Sequence, residues 1–327
     1  MTLKKAGIII ADLKKRSEKG LELAKQTLQA EKIECPKLHD ALEHYIAYWN
    51  DFTHPGLFSI ACEAAGGDPD RVVQTQAAIA TMAAAFDIHD DIIDKSKVKY
   101  KIPTVYGKFG AEIAILLGNA FLIEGFKLLV DSTTMLPKEK ERRVLEAVKK
   151  LMFEVGNAHA LEVGLKERKN VAPNDYMKII EMKAAGIEVD IHLGALFGGE
   201  DAEVEALARL GRILGILATL RDEFIDVFET EELWQRISTQ SLPLPVLLAL
   251  RDQEAKGTVM SIISKPEITK SDVNELVDVI LEAKTVVKLK HKMRLLIREG
   301  ADLSNHLRKE KLRRSFQILL SFMLEDL

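Results

Sequence analysis

Apolar residues recur every three to four positions along nearly the whole chain, whereas the strict alternation typical of β-strands is almost absent. Short turns marked by Gly, Pro or Asp interrupt this pattern. The longest predicted helix runs from about Pro69 to Asp94 and has an alanine-rich middle. No linker, low-complexity tract or repeat separates the helices, so the pattern predicts an all-α helix bundle that forms a single domain over residues 1–327.

Charge and composition exclude several classes of protein. The chain has 46 Lys and Arg against 50 Asp and Glu, a formal net charge of -4, so nucleic acid is not an expected partner. Its apolar runs are shorter than the roughly 18 uninterrupted apolar residues of a membrane span, so we expect no membrane span, although peripheral membrane contact stays open. Two cysteines are too few for a disulfide framework, and the first residues do not resemble a signal peptide, which predicts a cytoplasmic protein.

The strongest chemical signal is an acidic cluster at the end of the long predicted helix. Asp90 and Asp94 are spaced i, i+4, where side chains of like charge are close neighbours and repel. Asp91 lies between them and Asp87 lies one turn earlier, at the helix end where the macrodipole disfavours anions. A bound cation would resolve this conflict, and Mg²⁺ often takes one or two carboxylates together with substrate phosphates.

A second cluster, Asp222-Glu223-Phe224-Ile225-Asp226, repeats the spacing within another amphipathic helix. A single cluster of this kind could be a solvated acidic surface. Two clusters that face each other across a bundle predict a group of Mg²⁺ ions that would make a diphosphate a leaving group inside an apolar cavity. His159 and Glu162, at i, i+3, we interpret as a pair within the bundle interior.

Several stretches also resemble the trans-isoprenyl diphosphate synthases, or polyprenyl synthetase family, and appear in that family's order. They are HPGLFSIACEAAGG, FDIHDDIID, KYKIPTVYGKFGAEIAILLGNAF, AHALE, YMKIIEMKAA, LRDEFID and SLPLPVLLAL. The resemblance implies an all-α isoprenoid synthase fold around a deep central cavity, prenyl diphosphate substrates and a homodimer. The implied reaction is condensation of an allylic diphosphate with isopentenyl diphosphate.

The resemblance also implies roles for individual residues. Asp90, Asp94 and Asp222 would be the main Mg²⁺ ligands, with assistance from Asp91 and Asp226. The implied catalytic set comprises Asp90, Asp91, Asp94 and Lys183. Lys183 would contact the diphosphate of the allylic substrate.

The chain departs from the family pattern where isopentenyl diphosphate would bind. Asn50-Asp51-Phe52-Thr53-His54-Pro55 replaces a Gly-Lys-Arg-x-Arg-Pro run, so only His54 can be cationic there. Lys99 and Lys101 stand near the family's Arg-Arg-Gly, and Thr219 stands in place of a glutamine. Each lost charge-assisted hydrogen bond to phosphate typically weakens binding by about 1.5–3 kcal/mol, so we expect a strongly weakened isopentenyl diphosphate site. The residues expected to bind substrate are His54, Lys99, Lys101, Lys183, Thr219 and Phe86.

Phe86 lies one helical turn before Asp90 and would form the floor of the substrate pocket, which predicts farnesyl to geranylgeranyl products. The alternative is that Phe86 only packs in the core. Three functions compete: a Mg²⁺-dependent short-chain prenyl diphosphate synthase, which we favour, a terpene-synthase-like lyase that ionises a single prenyl diphosphate, and a non-catalytic partner subunit of a prenyl synthase.

Overall fold

A computed structural model describes residues 2–166, 171–199, 201–239, 241–307, 309–325 and 327. Helices dominate the described residues, with one two-stranded hairpin and one 3₁₀ turn at Pro69–Arg71. The elements are α1 (Thr2–Gln29), α2 (Pro36–Tyr48), α3 (Thr53–Ala64), α4 (Val73–Ile93), β1 (Val98–Lys99), β2 (Ile102–Pro103), α5 (Val105–Phe109), α6 (Ala111–Thr133), α7 (Lys138–Lys166), α8 (Pro173–Lys183), α9 (Ala185–Gly198), α10 (Asp201–Phe228), α11 (Thr230–Thr239), α12 (Leu244–Ala249), α13 (Lys256–Ile263), α14 (Lys270–Glu282), α15 (Lys284–Asn305) and α16 (Glu310–Phe322).

The predicted all-α class is confirmed, and the long predicted helix is largely α4. Its first residues form the 3₁₀ turn instead, because Pro69 and the side chain of Asp68 set a separate tight turn before α4 begins at Val73. Alanine favours helix and has a small side chain, so α4 can be buried along most of its length against α6 and α1. The single domain over residues 1–327 stays a prediction, supported by the packing of α1 against α16.

Glycines allow α3 and α9 to approach each other closely. A Cβ atom on Gly194 would collide with the carbonyl oxygen of Phe58, and one on Gly198 would collide with that of Cys62. Larger residues at these two positions would push the helices apart. The close approach matters for the site because α3 carries His54 and α9 carries Asp190.

The β1–β2 hairpin joins α4 to α5 and turns through Tyr100 and Lys101. Both residues have positive φ, 52° and 66°, a conformation that Gly or Asn usually supplies in two-residue hairpin turns. The side chain of Tyr100 is 96% exposed. The hairpin pairs Lys99 with Ile102, and it thereby holds Lys99 beside the C-terminal end of α4.

Helix α6 is long and apolar enough to cross a bilayer by length and composition, with a mean hydropathy of 1.9 over its best window. The core helix of a bundle has the same properties. One face of α6, which includes Ala114, Leu117 and Phe121, is buried, and the helix packs against α4 as part of the bundle. Its opposite face exposes large apolar residues, namely Ile115, Leu116, Ile123, Phe126 and Val130.

Candidate active site

The two acidic clusters meet at one cavity of about 420 Å³ between α4, α7, α8, α9 and α10. Asp90 from the first cluster and Asp222 from the second both line this first cavity, together with Lys183. The apolar part of its wall consists of Ile79, Met82, Ala83, Phe86, Leu151, Val155, Val189 and Leu193. Two carboxylates and an ammonium group are therefore combined with an apolar wall, an arrangement suited to a ligand that has a charged head and an apolar chain.

Burial and neighbouring negative charge destabilise the ionised form of the cavity carboxylates. A bound cation would therefore be favourable beside them. Burial raises the pKa of Asp90, and the nearby charge of Asp94 raises it further. Burial and the charge of Glu223 raise the pKa of Asp222 to about 6. One oxygen of Asp90, Oδ1, is buried and makes no hydrogen bond, although Nδ1 of His159 lies 3.3 Å from it. A divalent ion would satisfy this oxygen.

The carboxylate of Glu162 holds Lys183 in position, and the sequence alone does not predict this pairing. Nζ of Lys183 lies 2.5 Å from Oε2 of Glu162, and the hydroxyl of Tyr176 donates to Oε1 of the same carboxylate at 3.2 Å. Burial opposes the charge of Lys183, but Glu162 and Asp90 outweigh it and raise the pKa of the amine. Lys183 is therefore a fixed cation at the wall of the first cavity. Glu162 is buried in the interior as predicted. Although burial opposes its ionisation, the charges of Lys183 and of the nearby His159 lower its pKa, and its bonding partners are Lys183 and Tyr176.

Asp226 of the second cluster is held by a buried arginine. Nη1 of Arg236 lies 2.5 Å from Oδ2 of Asp226, and Nη2 lies 2.6 Å from the Tyr176 hydroxyl and 3.3 Å from Glu223. Nε of Arg236 donates to the backbone oxygen of Ser241 at 2.8 Å. The side chain of Arg236 is only 8% exposed. Asp226 is thus an ion-pair partner here, and it does not line the first cavity, so its role as a metal ligand stays a prediction.

Lys99 neutralises a second pair of aspartates on α4. Its Nζ lies 2.9 Å from Oδ1 of Asp87 and 2.8 Å from Oδ1 of Asp91. Asp87 and Asp91 are spaced i, i+4, as Asp90 and Asp94 are, so the ammonium group occupies the place where a cation would relieve their repulsion. Burial raises the pKa of Asp91 to about 7 even beside this lysine.

A second cavity of about 720 Å³ adjoins the first and shares His54, Ala83 and Asp87 with it. Nδ1 of His54 lies 2.6 Å from Oδ2 of the buried Asp190. Burial opposes the imidazolium, but Asp190 and Asp51 outweigh it and raise the pKa of His54 to about 10. Burial raises the pKa of Asp190 to about 6, so both partners are charged at neutral pH.

The second cavity has few cations for its size. Lys99 and His54 line it and are both engaged by aspartates, while Asp51, Asp87 and Asp91 also line it. Much of the remaining wall is aromatic: His44, Tyr45, Tyr48, Trp49, Phe52 and Tyr100. The structure therefore places the predicted substrate-binding residues His54 and Lys99 in this cavity, which adjoins the cavity of Asp90 and Asp222.

Besides Asp226, three predicted site residues lie outside both cavities. Asp94 follows the last residue of α4, and its backbone N–H donates to the backbone oxygen of Asp90 at 2.8 Å. Lys101 is exposed in the turn of the hairpin. The hydroxyl of Thr219 donates to the backbone oxygen of Gly215 at 2.9 Å within α10. Their predicted roles stay predictions, and only a change in side-chain direction would bring Lys101 or Thr219 to a substrate.

The carboxylate oxygens of the first cavity fit Mg²⁺ better than a metal whose ligands all come from the protein. Among the described residues, no three His, Cys, Asp or Glu side chains stand close enough together to hold an ion. Asp90 and Asp222 in one cavity supply hard oxygen ligands, and Mg²⁺ is commonly held by one or two carboxylates with phosphate oxygens and water as the rest. A site of this kind would be completed only when a diphosphate binds.

Sequence reasoning missed the partners that hold the predicted residues in place. Asp190 is 136 positions from His54, and Tyr176 is 60 positions from Arg236, while Arg236 and Asp226 are 10 positions apart but lie on different helices. The one feature of the local sequence that could have revealed these residues is a charged or hydroxyl side chain on an otherwise apolar helix face. Such residues are commonly buried only when they have partners.

Comparison with known proteins agrees with this site. The family model described as polyprenyl synthetase matches residues 36–280, so the chain belongs to the polyprenyl synthetase family. The matched range contains both acidic clusters, His54, Lys99 and Lys183. The predicted family and the assignment as a prenyl-transferring enzyme are thereby confirmed.

Individual relatives are similar over most of the chain. A short chain isoprenyl diphosphate synthase of Methanothermobacter thermautotrophicus is 28% identical over 270 residues, which cover 82% of this chain and 78% of that protein. A geranylgeranyl diphosphate synthase of Sulfolobus acidocaldarius is 26% identical over 246 residues, covering 75% and 71%. The crystal structure of a geranylgeranyl pyrophosphate synthetase from Pyrococcus horikoshii shares the fold, with a TM-score of 0.85 at 23% identity and coverage of 98% and 99%.

Proposed function

We propose that this protein is a Mg²⁺-dependent prenyltransferase that condenses a short allylic prenyl diphosphate with isopentenyl diphosphate. The observation that carries the proposal is the convergence of Asp90, Asp222 and Lys183 on one cavity with an apolar wall. The names of the relatives, a short chain isoprenyl and a geranylgeranyl diphosphate synthase, support products in the farnesyl to geranylgeranyl range.

Each group of residues in the first cavity has a different role in the ionisation of the allylic diphosphate. Asp90 and Asp222 would hold Mg²⁺, which when bound draws negative charge from the departing diphosphate. Lys183 adds a fixed positive charge beside that group without any rearrangement, since Glu162 already orients it. Phe86, Met82 and their apolar neighbours exclude water from the prenyl chain. The allylic C–O bond breaks with its electrons on the diphosphate.

The acceptor would then approach from the second cavity. The double bond of isopentenyl diphosphate attacks the allylic carbon and a C–C bond forms. The diphosphate released in the first step then accepts a proton from the new cation, which restores a double bond. His54 lines both cavities and is protonated at neutral pH, so it is suited to bind an anion at their junction. Lys99 becomes available to a second diphosphate only if Asp87 and Asp91 release it.

One observation favours a second candidate, a lyase that uses a single prenyl diphosphate. Both cations of the second cavity are already paired, and Asp51, Asp87 and Asp91 make its wall acidic. A second diphosphate must overcome this charge, whereas water or an internal double bond of the first substrate need not. The first cavity serves the same ionisation step in either function.

Incubation of the full chain with Mg²⁺ and farnesyl diphosphate, with and without isopentenyl diphosphate, tests the proposal. We expect a longer prenyl diphosphate only when both substrates are present, as seen by mass spectrometry. A hydrocarbon or alcohol formed from farnesyl diphosphate alone would favour the lyase. No turnover, with binding of the diphosphate intact, would favour a non-catalytic subunit.

Phe86→Ala should lengthen the products by one or more isoprene units. Phe86 lines the first cavity four residues before Asp90, which is about 6 Å along the helix, so its removal deepens the apolar end of the cavity. Product lengths from the variant and the parent protein, separated by chromatography, check this expectation. Met135→Ala, which truncates an exposed side chain outside both cavities, is the control. An unchanged product distribution for Phe86→Ala would show that Phe86 does not set the floor.

We further propose that the working form is a homodimer in which the outward face of α6 is buried. Ile115, Leu116, Ile123, Phe126 and Val130 fall on one side of the helix and are between 36% and 69% exposed. On the neighbouring α7, Phe153 is 70% exposed. An apolar face of this extent usually marks a protein interface. A cytoplasmic location stays a prediction, with which the two free cysteines agree.

The double variant Ile123→Glu/Phe126→Glu should convert the dimer to a monomer, because four introduced charges, two per protomer, would be desolvated at a twofold interface. Light scattering after gel filtration should show the mass fall from twice 36.6 kDa to 36.6 kDa. Ile8→Glu/Met260→Glu places the same charges at exposed positions elsewhere and should leave the mass unchanged. A parent protein that is already monomeric at assay concentration would refute the homodimer.

A further inference from the structure

Helix α15 carries a dense positive charge in a chain that is acidic as a whole. Residues 283–298 contain six Lys or Arg and no Asp or Glu, whereas the full chain has a net charge of -4. The exposed positions on this helix include Lys284, Lys288, His291, Lys292, Arg294 and Arg298. From Lys284 to Arg298 they extend over about 21 Å. We call this exposed set the α15 basic face.

Most of the positive charge on this face is not neutralised by the protein. Lys284 pairs with Glu254 at 2.6 Å, and Lys292 lies 3.7 Å from Glu181. No ion pair reaches Lys288, Arg294 or Arg298 among the residues that the structure describes. Glu282 and Glu299 bound the face at its two ends, so the unpaired charge is concentrated along the middle of the helix.

Two exposed aliphatic residues lie among these cations. Val287 is 47% exposed and Leu295 is 49% exposed. The opposite side of the helix is fixed in the core by Val286, Leu289 and Met293. Lys290 turns inward and lies 5.8 Å from the ring centroid of Phe224. The α15 basic face is therefore presented on a rigid support that packs against α10, the helix of the second acidic cluster.

We propose that the α15 basic face docks on an anionic lipid bilayer. Charge complementarity points to a polyanionic partner, and exposed aliphatic side chains between the cations fit the boundary between headgroups and acyl chains. A nucleic acid would use the cations but would leave Val287 and Leu295 without a favourable contact. The inference does not depend on the proposed reaction.

Sedimentation of the full chain with lipid vesicles tests the docking. We expect binding to vesicles of phosphatidylcholine mixed with phosphatidylglycerol, no binding to pure phosphatidylcholine, and release at high salt because surface charges are then screened. Lys288→Glu/Arg294→Glu should weaken binding by about 25-fold or more, since each lost cation accounts for about fivefold. Val287→Ser/Leu295→Ser should weaken it while leaving its salt dependence intact.

Lys32→Glu/Lys37→Glu makes the same change in net charge at exposed positions outside α15. This control variant should bind vesicles as the parent protein does. If Lys288→Glu/Arg294→Glu does not fold, as judged by circular dichroism, Lys288→Gln/Arg294→Gln replaces it. Equal losses in the two charge-reversal variants, equal binding to neutral vesicles, or tighter binding to a short DNA duplex than to anionic vesicles would overturn the proposal.

Discussion

Asp90→Asn and Asp222→Asn should each lower kcat/KM for prenyl transfer by on the order of 10³-fold. Both carboxylates line the first cavity, and the amide of asparagine removes the negative charge that Mg²⁺ requires while it preserves shape. Each variant should also lose Mg²⁺-dependent uptake of inorganic pyrophosphate in calorimetry. Uptake in the parent protein should weaken as the pH falls through about 6, because the raised pKa of Asp222 leaves its carboxyl protonated below that value.

Asp278→Asn is the matched control, because Asp278 is an exposed carboxylate on α14 outside both cavities. It should leave activity and pyrophosphate uptake unchanged. A folded Asp90→Asn variant that retains Mg²⁺-dependent turnover near the parent rate would show that the first acidic cluster does not hold the metal. The same result for Asp222→Asn would exclude the second cluster.

Arg236→Met should destabilise the protein by about 3–5 kcal/mol, which is the usual cost of leaving a buried charge without its partner. Arg236 is hydrogen-bonded to Asp226, Tyr176 and the backbone of Ser241. Its loss leaves Asp226 unpaired, and it removes the nearest cation from the buried Glu223. Urea unfolding followed by circular dichroism measures the change in the free energy of unfolding.

Arg314→Met provides the comparison, since Arg314 forms an exposed i, i+4 ion pair with Glu310 at 2.5 Å. Exposed pairs usually contribute less than about 1 kcal/mol. The double variant Arg236→Met/Asp226→Leu should recover part of the lost stability, because it removes both charges together. If Arg236→Met is no more destabilising than Arg314→Met, the buried network does not hold α11 against α10.

Residues whose chemistry depends on local spacing could be predicted from the sequence. Asp90 and Asp222 are recognisable because each begins an acidic pair one helical turn apart, and Phe86 follows by counting back one further turn. All three line the first cavity. The resemblance to the family supplied Lys183, which lines the same cavity. The all-α fold followed from the recurring apolar period.

The contacts that require chain reversal could not be predicted. His54 and Asp190 are 136 positions apart in sequence, and their pairing depends on how closely α3 and α9 pack. Lys99 lies 2.8 Å from Asp91 because the chain reverses after α4 into a hairpin, whose turn has positive φ at Tyr100 and Lys101, residues that do not mark such a turn in the sequence. Hydrophobic period gives the face of a helix that is buried, and it gives no information on which distant side chain that face meets.

The alternation of aspartates on α4 has a consequence for how this segment can tolerate change. Successive residues rotate by about 100° around the axis, so Asp87 and Asp91 point towards Lys99 while Asp90 points into the first cavity. Insertion of one residue between Met82 and Asp87 would turn His89 into the cavity in place of Asp90, whereas deletion of one residue would turn Ile88 and Ile92 towards Lys99 in place of Asp87 and Asp91. A change of register by one residue in either direction would therefore remove the carboxylate from one of the two compartments.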